Sequence, residues 1–174
     1  QDNIIVPDVG RDILKIVVLN RYEKKTPPAV AFVNGFGLES GAIATSIAHD
    51  SHNIIAVGAD DESIVSAINL IIKSKGGISV VKNKNNINNI NNININIIIN
   101  SNNLKNHADY ANHADNYLFE LPIAGIMSDK DITFVSDAYI TADKKAKKLG
   151  SKLSSPFMTL SFLALLVVPE LKLS

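Results

Sequence analysis

Cysteine and tryptophan are both absent from this 174-residue chain. Without thiols it can form neither a disulfide nor a thiolate metal site. No sign of charge predominates: seventeen basic residues balance seventeen acidic ones, for a formal net charge of zero. There is then no broad positive field to draw in nucleic acid or an anionic membrane surface, and neither is an expected partner. A small neutral ligand or a protein partner fits better. Long apolar runs are missing as well. The most apolar stretch, Phe157 to Val168, is twelve residues long and bracketed by Pro156 and Pro169. A bilayer span needs about twenty residues, so this stretch reads as a buried helix enclosed by other elements and ended by Pro169. The start, Gln1-Asp2-Asn3, has no initiator Met and no basic region followed by an apolar one. It is not a secretory signal and reads as an internal cut, while the absence of cysteine makes the cytoplasm the expected compartment.

What is present suffices for one domain with a real core: 46% of the residues are hydrophobic. Ile13 to Leu19 and Val30 to Val33 are rich in β-branched residues and are separated by a Thr26-Pro27-Pro28 break, so they read as strands able to pair. Glycines at 35, 37 and 41 mark a loop, after which Ala42 to Ala48 and Ile54 to Val57 resume extended character. Asp60 is placed to cap a helix whose apolar positions Ile64, Val65, Ile68, Ile71 and Ile72 share a face and whose end carries Lys73, Lys75 and Gly76. Gly77 to Lys82 then reads as a strand, completing a strand–helix–strand unit.

Residues 83–106 break this order, since thirteen of the twenty-four are Asn and seven are Ile. Neither a helical nor a strand period runs through them. With the duplicated His-Ala-Asp units at His107 and His113, they read as a disordered low-complexity insertion over about 83–117. Beyond it, Ser128 is a candidate cap, with Val135, Ala138, Tyr139, Ala142, Ala146 and Leu149 on one helical face and lysines near its end. Ser155 and Pro156 open a third helix. The expected fold is therefore α/β or α+β, a layered sheet with about three helices in a single domain over 1–174.

Three blocks carry a resemblance. Phe32-Val33-Asn34-Gly35-Phe36-Gly37-Leu38 runs on through Gly41 to Gly58 with His49-Asp50-Ser51-His52-Asn53 near its end. The others are Leu121 to Asp129 and Pro156 to Leu165, the latter followed by Pro169-Glu170-Leu171-Lys172-Leu173. Together they resemble the C-terminal domain of microbial adenine deaminases, members of the amidohydrolase superfamily, over nearly all of the chain outside 83–117. The resemblance implies an enzyme of purine salvage that hydrolyses adenine to hypoxanthine and ammonia. It also implies manganese or iron held by an upstream amidohydrolase barrel, as a metal-activated water attacks C6. That barrel is not in this sequence. The histidines present, at 49, 52, 107 and 113, include no His-x-His pair, so no metal ligand is assigned, no cofactor is expected on this chain alone, and the chain alone is expected to be inactive. The Asn/Ile segment is foreign to the resemblance.

Within the His49–Asn53 cluster, the histidines and the carboxylate can relay a proton, meet a purine edge or ligate a metal. Two histidines three apart share a face only on a helix, and the apolar flanks argue for strands, which disfavours the metal. The plainer reading is a turn knitted by Asp50 and Asn53. With the resemblance added, His52, Asp50 and His49 are the candidate catalytic residues, and Asn53, Ser128 and Asp129 the candidate substrate contacts. Ser128 has the rival role of helix cap. Gly35-Phe36-Gly37 and Gly76-Gly77 form neither a G-x-G-x-x-G fingerprint nor a P-loop, and tight turns account for both. Two other functions stay open, a catalytically inactive purine-binding module and an oligomerisation module forming a homo-oligomer.

Overall fold

The structure is a computed structural model describing residues 5–23, 25–82 and 116–165. The His-Ala-Asp repeats and Pro169 lie outside those residues. Among the described residues, six strands form one open antiparallel sheet: β1 (Ile13–Leu19), β2 (Ala29–Asn34), β3 (Ala42–Thr45), β4 (Ile54–Gly58), β5 (Gly77–Val81) and β6 (Tyr117–Glu120). Their spatial order is β2-β1-β4-β3-β5-β6. Three helices accompany them, α1 (Asp61–Ser74), α2 (Ile132–Lys148) and α3 (Pro156–Phe162). None of these is long and apolar enough to cross a membrane. With every pairing antiparallel, the fold is α+β.

Alternation along the strands divides the core in two. Leu14, Ile16, Val18, Ile43, Ile55, Val57, Ile78 and Val80 point to the side covered by α2 and α3. Val17, Leu19, Ala42, Ala44, Ile54 and Ala56 point to α1. The second set is rich in alanine, which lets α1 lie close. A β-carbon on Gly58 would sit 2.7 Å from both Ala42 Cβ and Ile64 Cγ1. Because β1, β3, β4 and β5 are covered on both faces, they read in the sequence as continuous apolar runs rather than strict alternations.

The strand–helix–strand unit is present as β4-α1-β5, but its strands are not neighbours. Both pair antiparallel with β3, which lies between them, so β4 and β5 run in the same direction. Asp60 caps α1, its carboxylate accepting the Ser63 N–H at 2.8 Å. Lys75 ends the helix in a left-handed conformation, φ 63°. Ile64, Ile68 and Ile71 are buried as expected, whereas Ile72 is exposed. Eight residues on from Ile64, it has rotated about 80° off the buried stripe.

The later helices differ more from expectation. α2 is capped by Asp131 rather than Ser128: its carboxylate accepts the Thr133 and Phe134 N–H groups at 2.9 and 3.0 Å. Ser128 Oγ accepts the Lys130 N–H instead, at 3.1 Å. The apolar face of α2 holds, with Ala138, Ala142, Ala146 and Leu149 buried in the core. α3 begins at Pro156 with Ser155 in the cap position, but no side-chain cap bond forms, and the helix ends at Phe162. Met158 and Phe162 are exposed, so α3 is not enclosed all round. The composition break reaches 117, yet Tyr117 already opens β6.

Candidate functional site

Antiparallel pairing gathers four connections at one end of the sheet. Leu19 lies opposite Ile54, Thr45 opposite Ile55 and Ile78, and Gly77 opposite Glu120. The chain leaving β1, the loop joining β3 to β4, the α1–β5 junction and the segment after β6 therefore share that end. The Gly35–Gly41 loop lies at the other, where Asp12 accepts the Gly35 and Gly37 N–H groups at 2.9 and 2.7 Å. That is a tight turn, as its glycines suggest.

The β3–β4 loop leaves the sheet at Thr45, whose hydroxyl accepts the Ile47 N–H at 3.0 Å. A side chain so bonded competes with the strand ladder. The loop is closed by its backbone. His52 N–H donates to Ala48 O at 2.6 Å, His49 N–H donates to Ser161 O at 3.2 Å, and the His49–Asp50 peptide is cis. The His49 ring stacks on Phe162 with centroids 4.9 Å apart. His52 takes φ 50°, a left-handed conformation in which His and Asn are among the better tolerated residues. The expected knitting by Asp50 and Asn53 is not what holds the turn. Asp50 is exposed, and Asn53, though buried, leaves its Oδ1 without a partner.

Two residues that sequence reasoning missed tie these connections together. Arg21, just beyond β1, donates to Ala124 O at 3.1 Å and, more loosely, to His52 O and Lys75 O at 3.4 Å each. Ser46, buried at the end of β3, accepts the Gly77 N–H at 2.8 Å and donates to Gly125 O at 2.5 Å. A serine closing an apolar run was a legible signal of a buried hydroxyl with assigned partners. Nothing in the local pattern around Arg21 marked it.

Three of the five buried side-chain polar atoms without a partner among the described residues fall in the β3–β4 loop: His49 Nδ1, His52 Nδ1 and Asn53 Oδ1. An unmatched buried polar atom costs about 1–3 kcal/mol. Two ring nitrogens and an amide oxygen in one short loop can accept or give hydrogen bonds to a heteroaromatic edge, and an imidazole can move a proton. His49, His52 and Asn53 are thus brought together, with Asp50 beside them but turned to solvent. Ser128 and Asp129 lie after β6 at the same end, where both accept from Lys130, whose Nζ donates to Asp129 Oδ2 at 3.3 Å. Among the described residues, no three His, Asp or Glu side chains converge as metal ligands would. The loop does not fit a metal centre.

The sequence profile of the adenine deaminase C-terminal domain matches residues 1–99 and 110–174. The match takes in much of the Asn-rich segment as well as every described residue. An adenine deaminase of Salinibacter ruber is 42% identical over 174 residues, covering 99% of this chain and 26% of that protein. One of Sulfurovum sp. is 47% identical over 166 residues, 95% of this chain and 25% of its own length. One of Methanosarcina mazei is 45% identical over 171 residues, 97% and 25% respectively. The chain thus spans about a quarter of the length of the curated relatives it matches. A profile match that takes in both ends of the chain and all of it but residues 100–109, with such identity to these relatives, means that the chain belongs to the adenine deaminase C-terminal domain family.

Proposed function

We propose that this chain is the C-terminal part of a cytoplasmic adenine deaminase of purine salvage. The intact protein would hydrolyse adenine to hypoxanthine and ammonia, with manganese or iron held by the upstream part. The observation that carries this reading is the 42–47% identity, over nearly the whole chain, to proteins named adenine deaminase. In the net reaction water adds its oxygen at C6, the C6–amino bond breaks, and the amino group leaves as ammonia after gaining a proton. This chain's contribution is the β3–β4 loop. His52, with its Nδ1 unpartnered, is the residue assigned to hold or move the proton. His49 and Asp50 support it, and Asn53, Ser128 and Asp129 meet the purine. Upstream residues supply whatever metal chemistry the reaction uses.

Ammonia release from adenine tests the reading. The 174-residue chain with added manganese is expected to show none above a metal-free control, because its described residues form no metal centre. The same chain continuous with its upstream coding region is expected to turn over. Turnover by the short chain, or none by the long one, would refute the assignment.

A further inference from the structure

The end of the sheet that holds the β3–β4 loop also presents large apolar side chains to solvent. Ile132 is 80% exposed, Met127 52%, Phe134 51% and Phe162 44%. Met127, Ile132 and Phe134 lie within eight residues, running from the segment after β6 into the first turn of α2. Phe134 packs its inner edge on Phe119 of β6, and Phe162 carries the His49 ring. Apart from the entering segment, where Ile5, Val6 and Val9 are exposed, the opposite end is lined by Asp8, Arg11, Asp12, Glu39 and Lys152. Large apolar side chains exposed together at one end of the sheet point to an interaction face. Here it adjoins the loop that holds three buried, unpartnered polar atoms.

Resting on the reading of this chain as one part of a longer enzyme, we propose that this end is the surface on which the upstream part of the same protein docks. The face formed by Met127, Ile132, Phe134 and Phe162 seats against it, and the β3–β4 loop is carried to the junction. About three quarters of each relative's length lies outside the matched region, so an occupant of ample size is at hand. Docking there would cover the apolar side chains and bring groups to His49 Nδ1, His52 Nδ1 and Asn53 Oδ1. Docking at the other end would leave both unmet.

Hydroxyl-radical footprinting of the protein expressed with its upstream region tests this, alongside an adenine turnover assay on the same preparation. Met127, Phe134 and Phe162 are expected to oxidise several-fold more slowly than in the Ile132→Asp variant. That substitution places a charge on the face at a largely exposed position in the first turn of α2, where an acidic side chain suits the helix dipole, so the domain itself keeps its stability. Equal labelling in parent and variant overturns the docking face. So does protection of Ile5 and Val6 with Met127 and Phe134 labelled freely, protection that vanishes on dilution as a self-associated pair dissociates, or a coding sequence with no upstream region. Protection without adenine turnover leaves the docking face standing and removes the functional reading. Turnover without protection does the reverse.

Discussion

The guanidinium of Arg21 occupies the space that a β-carbon on Gly125 would need: such an atom would lie 2.3 Å from Nη1 and 2.4 Å from Nη2. Gly125 also has φ +74°, a left-handed conformation that costs an L side chain about 1–2 kcal/mol. The glycine lets the segment after β6 approach Arg21, which in turn reaches the β3–β4 loop and the α1–β5 junction.

Gly125→Ala is therefore expected to destabilise the protein by about 2–3 kcal/mol, combining backbone strain with the loss of an Arg21 hydrogen bond worth about 1 kcal/mol. Urea unfolding of Gly125→Ala, Arg21→Ala and the double variant reads the coupling. The double variant should lose less than the sum of the single losses, because removing Arg21 relieves the clash. Strict additivity would show that the two residues act independently.

His52→Asn separates proton transfer from turn formation with little ambiguity, since Asn tolerates the left-handed conformation that His52 adopts. In the long form of the enzyme the expected result is about a hundredfold to ten-thousandfold fall in turnover, the range typical of general acid–base groups, with a nearly unchanged thermal midpoint. Parent-rate turnover across the pH range in a normally folded variant would remove His52 from the chemistry.

β5 and β6 are antiparallel neighbours with Val80 opposite Tyr117, so a short turn can replace what connects them. Deleting residues 84–115 in favour of an Asn-Gly turn is expected to leave the thermal midpoint unchanged or raise it, as each halving of a loop recovers about 0.6 kcal/mol of closure entropy. Tyr117 must be kept, because its hydroxyl donates to Ala138 O at 2.9 Å and pins β6 to α2. A large drop in the midpoint would mean that the removed residues pack on the domain.

Alkaline conditions should act on the same seam. Burial raises the pKa of Tyr117, and burial together with the nearby Asp143 carboxylate raises that of Tyr139. Both phenols are thus held protonated above their unfolded value near 10. Stability from this source is fully present below that value and is lost as pH rises through the folded pKa values. Absorbance of tyrosinate during alkaline titration should show two late-titrating tyrosines whose ionisation accompanies loss of helix signal, and Tyr117→Phe should remove one of them. Early, uncooperative titration of all the tyrosines would contradict the assignment.

The sequence by itself determined whatever depends on near neighbours along the chain. The β-branched run at Ile13–Leu19, the Asp60 cap, the stripe of α1 through Ile64, Ile68 and Ile71, and the alanine face of α2 follow from periodicity and capping chemistry, which act within a few residues. The polar island at His49–Asn53 was legible because charged and amide side chains interrupt two apolar strands. Short-range reasoning failed where alternatives were close in energy. Ser128 and Asp131 are both good caps, and the choice fell to the residue placed where β6 lets α2 begin.

Only the tertiary structure decided what joins distant residues. It set β3 between β4 and β5, since that order covers both faces of the central strands while α1 crosses from one to the other. It also gave Arg21 its partners, which lie 31, 54 and 103 residues away along the chain. No local pattern encodes such bonds, because their acceptors are backbone carbonyls that every residue carries. They acquire a location, and with it a role for Arg21, only when the sheet brings three connections to one end.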